Sequence, residues 1–318
     1  NVSKGHVTLD ERLPVFSQFS QRQSHFLDKQ MKFLDLFAGI GGFRLGMESA
    51  GHECVGFCEV DKYARASYKA IHNTEGEIEL HDATGITKKE IKAIGQVDVI
   101  CAGFPCQPFS VAGTRRGFED TNGTLFFEIA RFASVLKPKY LFLENVKGLI
   151  SHDKGNTFET IIESLDELGY DVEWQVLNSK DFGVPQNRER VFIIGHLRGT
   201  SGRQVFPIFE TRSDKSIIQL GNIKKTESFG GNPQCGRVYS PARLAPCLNT
   251  MQGGQREPKI FIDGKVRKLT PRECWRLQGF PDCAFDKAQE VNSNSQLYKQ
   301  AGNSVTVNVI AAIAKELK

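Results

Sequence analysis

The sequence predicts a doubly wound α/β fold, in which the strands of one sheet alternate with helices along the chain. Short apolar runs such as 32–37 and 140–143 alternate with amphipathic segments such as 157–168, which is the pattern of such a sheet. A glycine-rich turn follows the first run. With 318 residues, of which 40% are hydrophobic and 25% charged, the chain can form one large domain and a smaller one.

The first strand, 32–37, is followed by Ala38-Gly39-Ile40-Gly41-Gly42-Phe43 and then by a helical pattern that reaches residue 50. Glycines let the backbone approach a ligand, and the start of a helix offers free N–H groups. The turn therefore fits a nucleotide-like cofactor, although it lacks the G-x-G-x-x-G pattern of dinucleotide-binding proteins.

Acidic residues end the second and third predicted strands, 53–57 and 77–80. Glu59 is placed to accept hydrogen bonds from ribose hydroxyls, and Asp82 could accept one from an adenine amino group. The alternative for both acids is the capping of the helix that follows.

The fourth predicted strand, 97–101, leads into Ala102-Gly103-Phe104-Pro105-Cys106-Gln107-Pro108-Phe109-Ser110. The strand stops at Gly103 and Pro105 stiffens the turn, so the Cys106 thiol sits beyond a strand end, where open parallel sheets collect their ligands. Cys106 is a candidate nucleophile. The alternative is a buried structural cysteine.

The rest of the sheet follows the same alternation. A loop at 111–122 with Arg115-Arg116 is expected to cover the site, a helix at 125–136 follows, and strand 140–143 delivers Glu144 to the same edge. Two more strands are expected at 171–177 and 190–196, and a helix capped by Thr270. A final helix with an apolar stripe is expected to dock on the sheet; the stripe is Val305, Val309, Ile313 and Leu317.

The positive charge is concentrated in one region. Between residues 200 and 268 there are twelve Lys or Arg and five Asp or Glu, a balance of +7, whereas the whole chain carries +4. This region is rich in Gly, Pro and Asn, and its Arg, Asn and Gln side chains suit the reading of base edges in DNA. The alternative is a solvated basic face.

Eight cysteines in 318 residues are too sparse for a disulfide scaffold, and their spacing matches no zinc site. We therefore expect reduced thiols in a cytoplasmic protein, with Cys54 and Cys58 on one face of a strand. We find no stretch long enough to cross a bilayer and no secretory signal.

Six stretches resemble those of the DNA cytosine-5 methyltransferase family, of the compact bacterial or phage type. They occur in the family's order and cover nearly all of 31–318 except 200–265; together they are far more specific than any one alone. They are Asp35-Leu36-Phe37-Ala38-Gly39-Ile40-Gly41-Gly42, Gly103-Phe104-Pro105-Cys106-Gln107, Glu144-Asn145-Val146, Gln186-Asn187-Arg188-Glu189-Arg190, Arg272-Glu273-Cys274 and Gly302-Asn303-Ser304-Val305.

The resemblance implies a methyltransferase fold with S-adenosylmethionine in the glycine-rich site and a separate loop-rich target-recognition domain. It places Glu59 on the ribose and Asp82 near the adenine. Many relatives carry a tryptophan that stacks on the adenine where this chain has Val60. The remaining residues implied for the cofactor site are Phe37, Ala38, Gly39, Gly41, Phe104, Asn303, Ser304 and Val305.

The resemblance also implies sequence-specific methylation of cytosine C5 in duplex DNA, with the target base flipped out of the helix. Cys106 would attack C6, a protonated Glu144 would bind N3, Arg190 would donate to O2, and Arg188 would position Glu144 or the catalytic loop. A structural salt bridge is the alternative for Glu144 and Arg190. Candidate DNA contacts are Gln107, Ser110, Arg115, Arg116, Arg237, Arg243, Gln252, Gln255 and Arg256.

The expected organisation is an accessory segment at 1–30, a catalytic domain at 31–197 plus about 296–318, a target-recognition domain at about 198–270 and a hinge at about 271–295. We expect a monomer in a restriction–modification or phage self-protection role, with a separate endonuclease as a possible partner and no metal. Three alternatives stay open: an RNA (tRNA) cytosine-5 methyltransferase, a catalytically silent DNA-binding relative, and a nicotinamide-dependent oxidoreductase supported only by the glycine-rich turn.

Overall fold

A computed structural model describes residues 30–105, 125–209, 215–224, 232–251 and 256–317. The strands are β1 (Lys32–Leu36), β2 (Glu53–Cys58), β3 (Ile78–Leu80), β4 (Val99–Gly103), β5 (Tyr140–Val146), β6 (Tyr170–Asn178), β7 (Glu189–Leu197), β8 (Gln219–Asn222), β9 (Arg237–Tyr239), β10 (Lys259–Ile262) and β11 (Lys265–Lys268). The helices are α1 (Gly42–Ser49), α2 (Lys62–Ile71), α3 (Lys88–Ala93), α4 (Leu125–Leu136), α5 (Asn156–Glu167), α6 (Pro271–Leu277), α7 (Asp282–Val291), α8 (Asn294–Asn303) and α9 (Val307–Ala314). Across these ranges, every helix falls short of the length and apolar content that a bilayer crossing requires.

Seven strands form the main sheet in the order β3-β2-β1-β4-β5-β7-β6. Strands β1 to β5 pair in parallel, and both faces of the sheet are buried. One face packs a hydrophobic cluster under α4 and α5, and the other packs a second cluster under α1 and α9. Helices on both faces of a largely parallel sheet confirm the predicted α/β fold class.

The sheet is mixed because β7 runs antiparallel to both of its neighbours, β5 and β6. Residues 179–188, which link β6 to β7, contain one short 3₁₀ turn and no crossover helix, and a parallel neighbour would need such a crossover. The reversal places the beginning of β7 at the edge where the parallel strands end, with Arg190 opposite Val146.

A bulge in β2 turns its two cysteines to opposite faces. Cys54 pairs with Phe33, but the next residue of β1, Leu34, pairs with Gly56, so β2 contains one extra residue. Cys54 therefore packs in the cluster under α1 and α9, and Cys58 in the cluster under α4 and α5. The expectation that both thiols share one face is wrong. The seven cysteines in the described ranges are unpaired.

Helix α9 packs directly against α1. A Cβ atom on Gly46 would lie 2.5 Å from Ile310 Cγ2, and one on Gly42 would lie 2.7 Å from Val305 Cγ2. The predicted apolar stripe at the end of the chain joins the cluster beneath these two helices, which confirms that it docks on the sheet. The helix itself ends at Ala314.

Helices α6, α7 and α8 form a third hydrophobic cluster around Trp275, which Ile40 of the glycine-rich turn also joins. Helix α6 begins as predicted, since Thr270 and Glu273 form a reciprocal capping box. The second sheet has the order β11-β10-β9-β8 and takes its strands from residues 219–268. The domain and hinge boundaries stay predictions.

We expect Gly302→Ala to destabilise the protein because α8 touches the backbone of the 249–250 segment. A Cβ atom at Gly302 would lie 2.0 Å from the carbonyl oxygen of Asn249, so the two backbones must separate at a cost of about 1–3 kcal/mol. Urea denaturation measures this as a lower midpoint. Gly85→Ala is the control, since nothing lies within 4 Å of its Cβ position; equal midpoints for the two variants would contradict the contact.

Candidate active site

A cavity of about 370 Å³ lies at the edge of the main sheet where the parallel strands end, a volume in the range of small-molecule sites. Its wall is formed by the segments that follow β1, β2 and β4, by the last residues of β5, by the start of β7 and the residue before it, and by the end of α8. The cavity thus lies at the edge where the sequence analysis expected the site. The predicted residues that line it are Phe37, Ala38, Gly39, Glu59, Phe104, Glu144, Arg188, Arg190, Asn303, Ser304 and Val305.

The glycine-rich turn forms one wall of the cavity. Phe37, Gly39 and Gly41 have positive φ angles of 55°, 57° and 82°, a backbone conformation that favours glycine. A Cβ atom on Gly39 would have no atom within 4 Å, so the backbone there faces open space. Gly41 lies behind the wall, where it touches His72.

Glu59 lies beside this turn, directly after β2. Its two carboxylate oxygens accept the backbone N–H groups of Gly39, at 2.8 Å, and of Asp61, at 2.7 Å. Asp61 in turn caps α2 and forms an ion pair with Lys299 at 2.6 Å. The carboxylate is therefore held in place by the backbone, and the lone pairs that these bonds leave remain available to a ligand.

Glu144 and Arg190 form an ion pair in the opposite wall, with 3.1 Å between Oε1 and Nε. The antiparallel pairing makes them diagonal neighbours across β5 and β7. Glu144 is 8% exposed. Burial raises the pKa of its carboxyl group, and the charges of Arg190 and Arg188 only partly oppose that rise. A carboxyl group in this environment can stay protonated and donate a hydrogen bond.

Arg188 is 3% exposed and joins three segments of the chain. Its guanidinium donates to the carbonyl oxygens of Leu248, Gly302 and Ser304 at 3.2, 3.2 and 2.8 Å, and to the Cys247 sulfur at 3.5 Å. Burial lowers its pKa. The hydrogen bonds of its side chain in the described ranges go to these groups and not to Glu144, so the guanidinium acts on Glu144 through its charge alone.

The turn after β4 is fixed from β5. The Asn145 side chain donates to the carbonyl oxygen of Phe104 at 2.9 Å, and the Phe104 N–H donates to the carbonyl of Glu144 at 3.4 Å. Pro105, the next residue, lines the cavity and is bonded to Cys106 in the chain. These contacts position the backbone that leads to the candidate nucleophile.

Several predicted site residues lie outside the described ranges: Cys106, Gln107, Ser110, Arg115, Arg116, Gln252 and Gln255. Val60 is 69% exposed, Asp82 caps a 3₁₀ turn through Thr84, and neither lines the cavity. On the second sheet and its loops, Arg237 donates to the carbonyl of Asn232. Arg243 and Arg256 are exposed.

Among the cavity residues that were not predicted from the sequence are Asp61, Lys299 and Gln300. Asp61 carried a signal, since it follows Glu59 closely and caps a predicted helix. Lys299 and Gln300 on α8 showed no such sequence signal, because only the packing of α8 against α2 brings them to the cavity. Gln300 makes that contact through the Tyr63 carbonyl and the Ser67 hydroxyl.

Comparison with known proteins identifies methyltransferases as relatives of this chain. A family model described as C-5 cytosine-specific DNA methylase matches residues 31–235 and 243–318. The chain is 40% identical to the type II methyltransferase M.HhaI of Haemophilus parahaemolyticus, over 90% of this chain and 95% of the relative. It is 37% identical to M.HpaII of Haemophilus parainfluenzae, over 97% and 95%, and 32% identical to the orphan methyltransferase M.SPBetaI of Bacillus phage SPbeta, over 91% and 97%.

Solved structures agree on the fold. The Dnmt2 methyltransferase of S. pombe superimposes with a TM-score of 0.67 at 20% identity, covering 89% of this chain and 97% of that one. The methyltransferase EhMeth of Entamoeba histolytica gives a TM-score of 0.65 at 20% identity, covering 90% and 97%. At this identity the likeness concerns the fold alone.

Proposed function

Because the chain belongs to the C-5 cytosine-specific DNA methylase family, we propose that it methylates cytosine C5 at a specific sequence in duplex DNA through a covalent Cys106 intermediate. The protein is a DNA cytosine-5 methyltransferase that uses S-adenosylmethionine. The observation that most supports the proposed covalent mechanism is that Glu59, beside the glycine-rich turn, and the Glu144–Arg190 ion pair line the same cavity.

The cavity suits S-adenosylmethionine. Glu59 has lone pairs left for two ribose hydroxyls, and the open face at Gly39 leaves room beside the backbone. Val305 packs against Gly42 and lies close to Gly103 as well. These residues would hold the cofactor, with Asn303 and Ser304 closing the pocket. When bound, S-adenosylmethionine supplies the sulfonium methyl group that cytosine C5 accepts.

The chain's own groups prepare the cytosine. Cytosine C5 is a poor nucleophile until a thiolate adds to C6, and we assign that addition to Cys106. As negative charge builds on the ring, the protonated Glu144 carboxyl donates to N3 and Arg190 donates to O2. Once C5 carries the methyl group, loss of the C5 proton to a base, for which we propose water, expels the thiolate and restores the ring.

Arg188 would act as a positioning residue in this scheme. Its bonds to the carbonyl groups of Leu248, Gly302 and Ser304 hold two walls of the cavity together. Its charge lies close enough to Glu144 to oppose the rise in the pKa of that carboxyl group. These contacts support the positioning role that the resemblance implied for Arg188, which would act through hydrogen bonds to backbone carbonyl groups.

A stacked duplex hides the atoms that Cys106 and Glu144 must reach, so the target base has to leave the helix. We propose that Gln107, Ser110, Arg115 and Arg116 support the flipped state. We propose that the basic region reads the target with a subset of a larger group of side chains. That group is Arg237, Arg243, Gln252, Gln255 and Arg256.

We further propose that the protein acts as a monomer in the cytoplasm and serves restriction–modification or phage self-protection. Its relatives named type II methyltransferases support the first setting, and the relative named for a phage supports the second. A separate cognate endonuclease is the partner that the first setting would require.

Transfer of labelled methyl groups to duplex DNA and to tRNA tests the proposed substrate. We expect label on DNA only, and bisulfite mapping of a plasmid grown with the gene to show one recurring sequence. Duplex DNA that contains 5-fluorocytosine at that sequence is expected to trap a covalent adduct on Cys106, since fluorine cannot leave as a proton does. Label on tRNA alone, or an active protein without an adduct, would refute the respective part of the proposal.

A further inference from the structure

Three aromatic rings stand in a column beneath the glycine-rich turn. Phe57 of β2 stacks on Tyr68 of α2 with 4.2 Å between the ring centroids, and Tyr68 contacts the ring of His72 at 4.6 Å. Tyr68 is completely buried and His72 is 8% exposed. The column links the sheet and α2 to the turn that forms the wall of the cofactor cavity.

His72 makes the contact at the top of the column. Its Nε2 lies 3.3 Å from the carbonyl oxygen of Ile40. A Cβ atom on Gly41 would lie only 2.1 Å from the same nitrogen, so the ring rests directly against the backbone of the turn. His72 itself does not line the cavity, and it would touch the turn rather than a bound cofactor.

The chemistry of this contact fixes the state of the ring. A carbonyl oxygen only accepts hydrogen bonds, so Nε2 of His72 carries the proton and donates to Ile40. Burial, helped by the nearby charge of Arg44, lowers the pKa of His72 to about 3. The ring is therefore neutral near physiological pH and presents one fixed donor to the turn.

We propose that His72 is a positioning residue for S-adenosylmethionine, which sets the geometry of the turn through its hydrogen bond to the Ile40 carbonyl. The proposal rests on the cofactor use of this protein. Glu59 holds the same turn from the other side through the Gly39 N–H. The turn is thus fixed at two adjacent residues, from the sheet edge and from α2, and a preorganised site binds its ligand more tightly.

The backbone of His72 ties the ring to α2, since its N–H donates to the Tyr68 carbonyl at 2.9 Å and it forms the C-cap of that helix. A side chain that served only to fill space could be apolar at this buried position. A leucine or methionine would lack the Nε2–H donor of His72, and the test isolates the effect of that donor.

The test compares two substitutions of similar length. His72→Gln keeps an N–H donor near the position of Nε2, and His72→Met removes it while filling the space. Without the donor we expect the Kd for S-adenosylmethionine, measured by calorimetry, to rise about 5- to 10-fold. His72→Gln is expected to stay within about twofold of wild type, and kcat at saturating cofactor to change little in either variant, since the lost contact acts on binding.

Equal cofactor affinity in wild type and His72→Met would overturn the proposal, and so would equal weakening by both variants, which would mean that packing alone matters. Thermal unfolding without cofactor reports whether a variant is folded. If His72→Met does not fold, His72→Phe gives the same comparison, because it keeps an aromatic ring and lacks the donor. Failure of the wild-type protein to bind S-adenosylmethionine would instead refute the cofactor use on which the proposal rests.

Discussion

Replacing Cys106 with serine is expected to lower the rate of methyl transfer by at least about 10³-fold while the protein still binds its target DNA. A serine hydroxyl is a far weaker nucleophile than a thiolate at neutral pH and cannot add efficiently to cytosine C6. The contacts that we propose for DNA and cofactor involve other residues, so the substitution should leave them in place. Single-turnover transfer of a labelled methyl group measures the first effect, and a gel-shift titration measures the second.

The matched control is Cys283→Ser, because Cys283 is an exposed thiol on α7. We expect wild-type turnover from this variant. The 5-fluorocytosine adduct should form in Cys283→Ser and be absent in Cys106→Ser. Wild-type turnover by Cys106→Ser, or an adduct that survives this substitution, would show that another group attacks the base.

Glu144→Gln is expected to reduce methyl transfer by about 10²- to 10³-fold, within the range of a lost general acid. The amide can still donate a hydrogen bond to cytosine N3, but it cannot share a proton as charge builds on the ring. The substitution also removes the carboxylate with which Arg190 forms its ion pair. The rate of the chemical step under single-turnover conditions is the informative measurement, with binding of DNA and cofactor measured separately.

Glu163→Gln on the exposed face of α5 is the control for the loss of a carboxylate. We expect it to leave the rate unchanged. A Glu144→Gln protein as active as this control would contradict a role for Glu144 in the chemistry and would favour a purely structural ion pair with Arg190.

The pH dependence of stability gives a second test of Glu144. Because its pKa in the folded protein is raised above the ordinary value of 4.5, the folded state binds a proton more tightly than the unfolded chain does. The stability that this raised pKa contributes is therefore fully present below pH 4.5 and is lost as the pH rises through the pKa of Glu144 in the folded protein. Relative to wild type, Glu144→Gln should gain stability as pH rises through that interval, which urea denaturation at a series of pH values would show.

The sequence predicted most of the sheet because each strand is a short apolar run with a turn residue after it. The ends of β1, β2, β4 and β5 meet at one edge, so the sequence pattern alone indicates that Glu59 and Glu144 lie at the same edge of the sheet. The glycine-rich turn could be predicted from the sequence equally well. Positions 39 and 41 carry glycine where φ is positive.

The site depends as well on features that no local pattern reveals. The reversal of β7 is a property of strand pairing, yet it delivers Arg190 to Glu144. The bulge that separates Cys54 from Cys58 depends on register with β1. The bonds of Arg188 to carbonyl groups sixty or more residues away arise only once those segments have packed together.

On the ribosome, residues 31–60 are made before residues 302–314. The part of the cavity wall that Val305 forms beside Gly42, and the packing of α9 on α1, cannot exist before residues 305–314 have been made. A nascent chain therefore contains its glycine-rich turn and Glu144 before the cavity that we propose for S-adenosylmethionine is complete. We therefore expect methylation to begin only after Val305 and α9 have emerged and packed against α1.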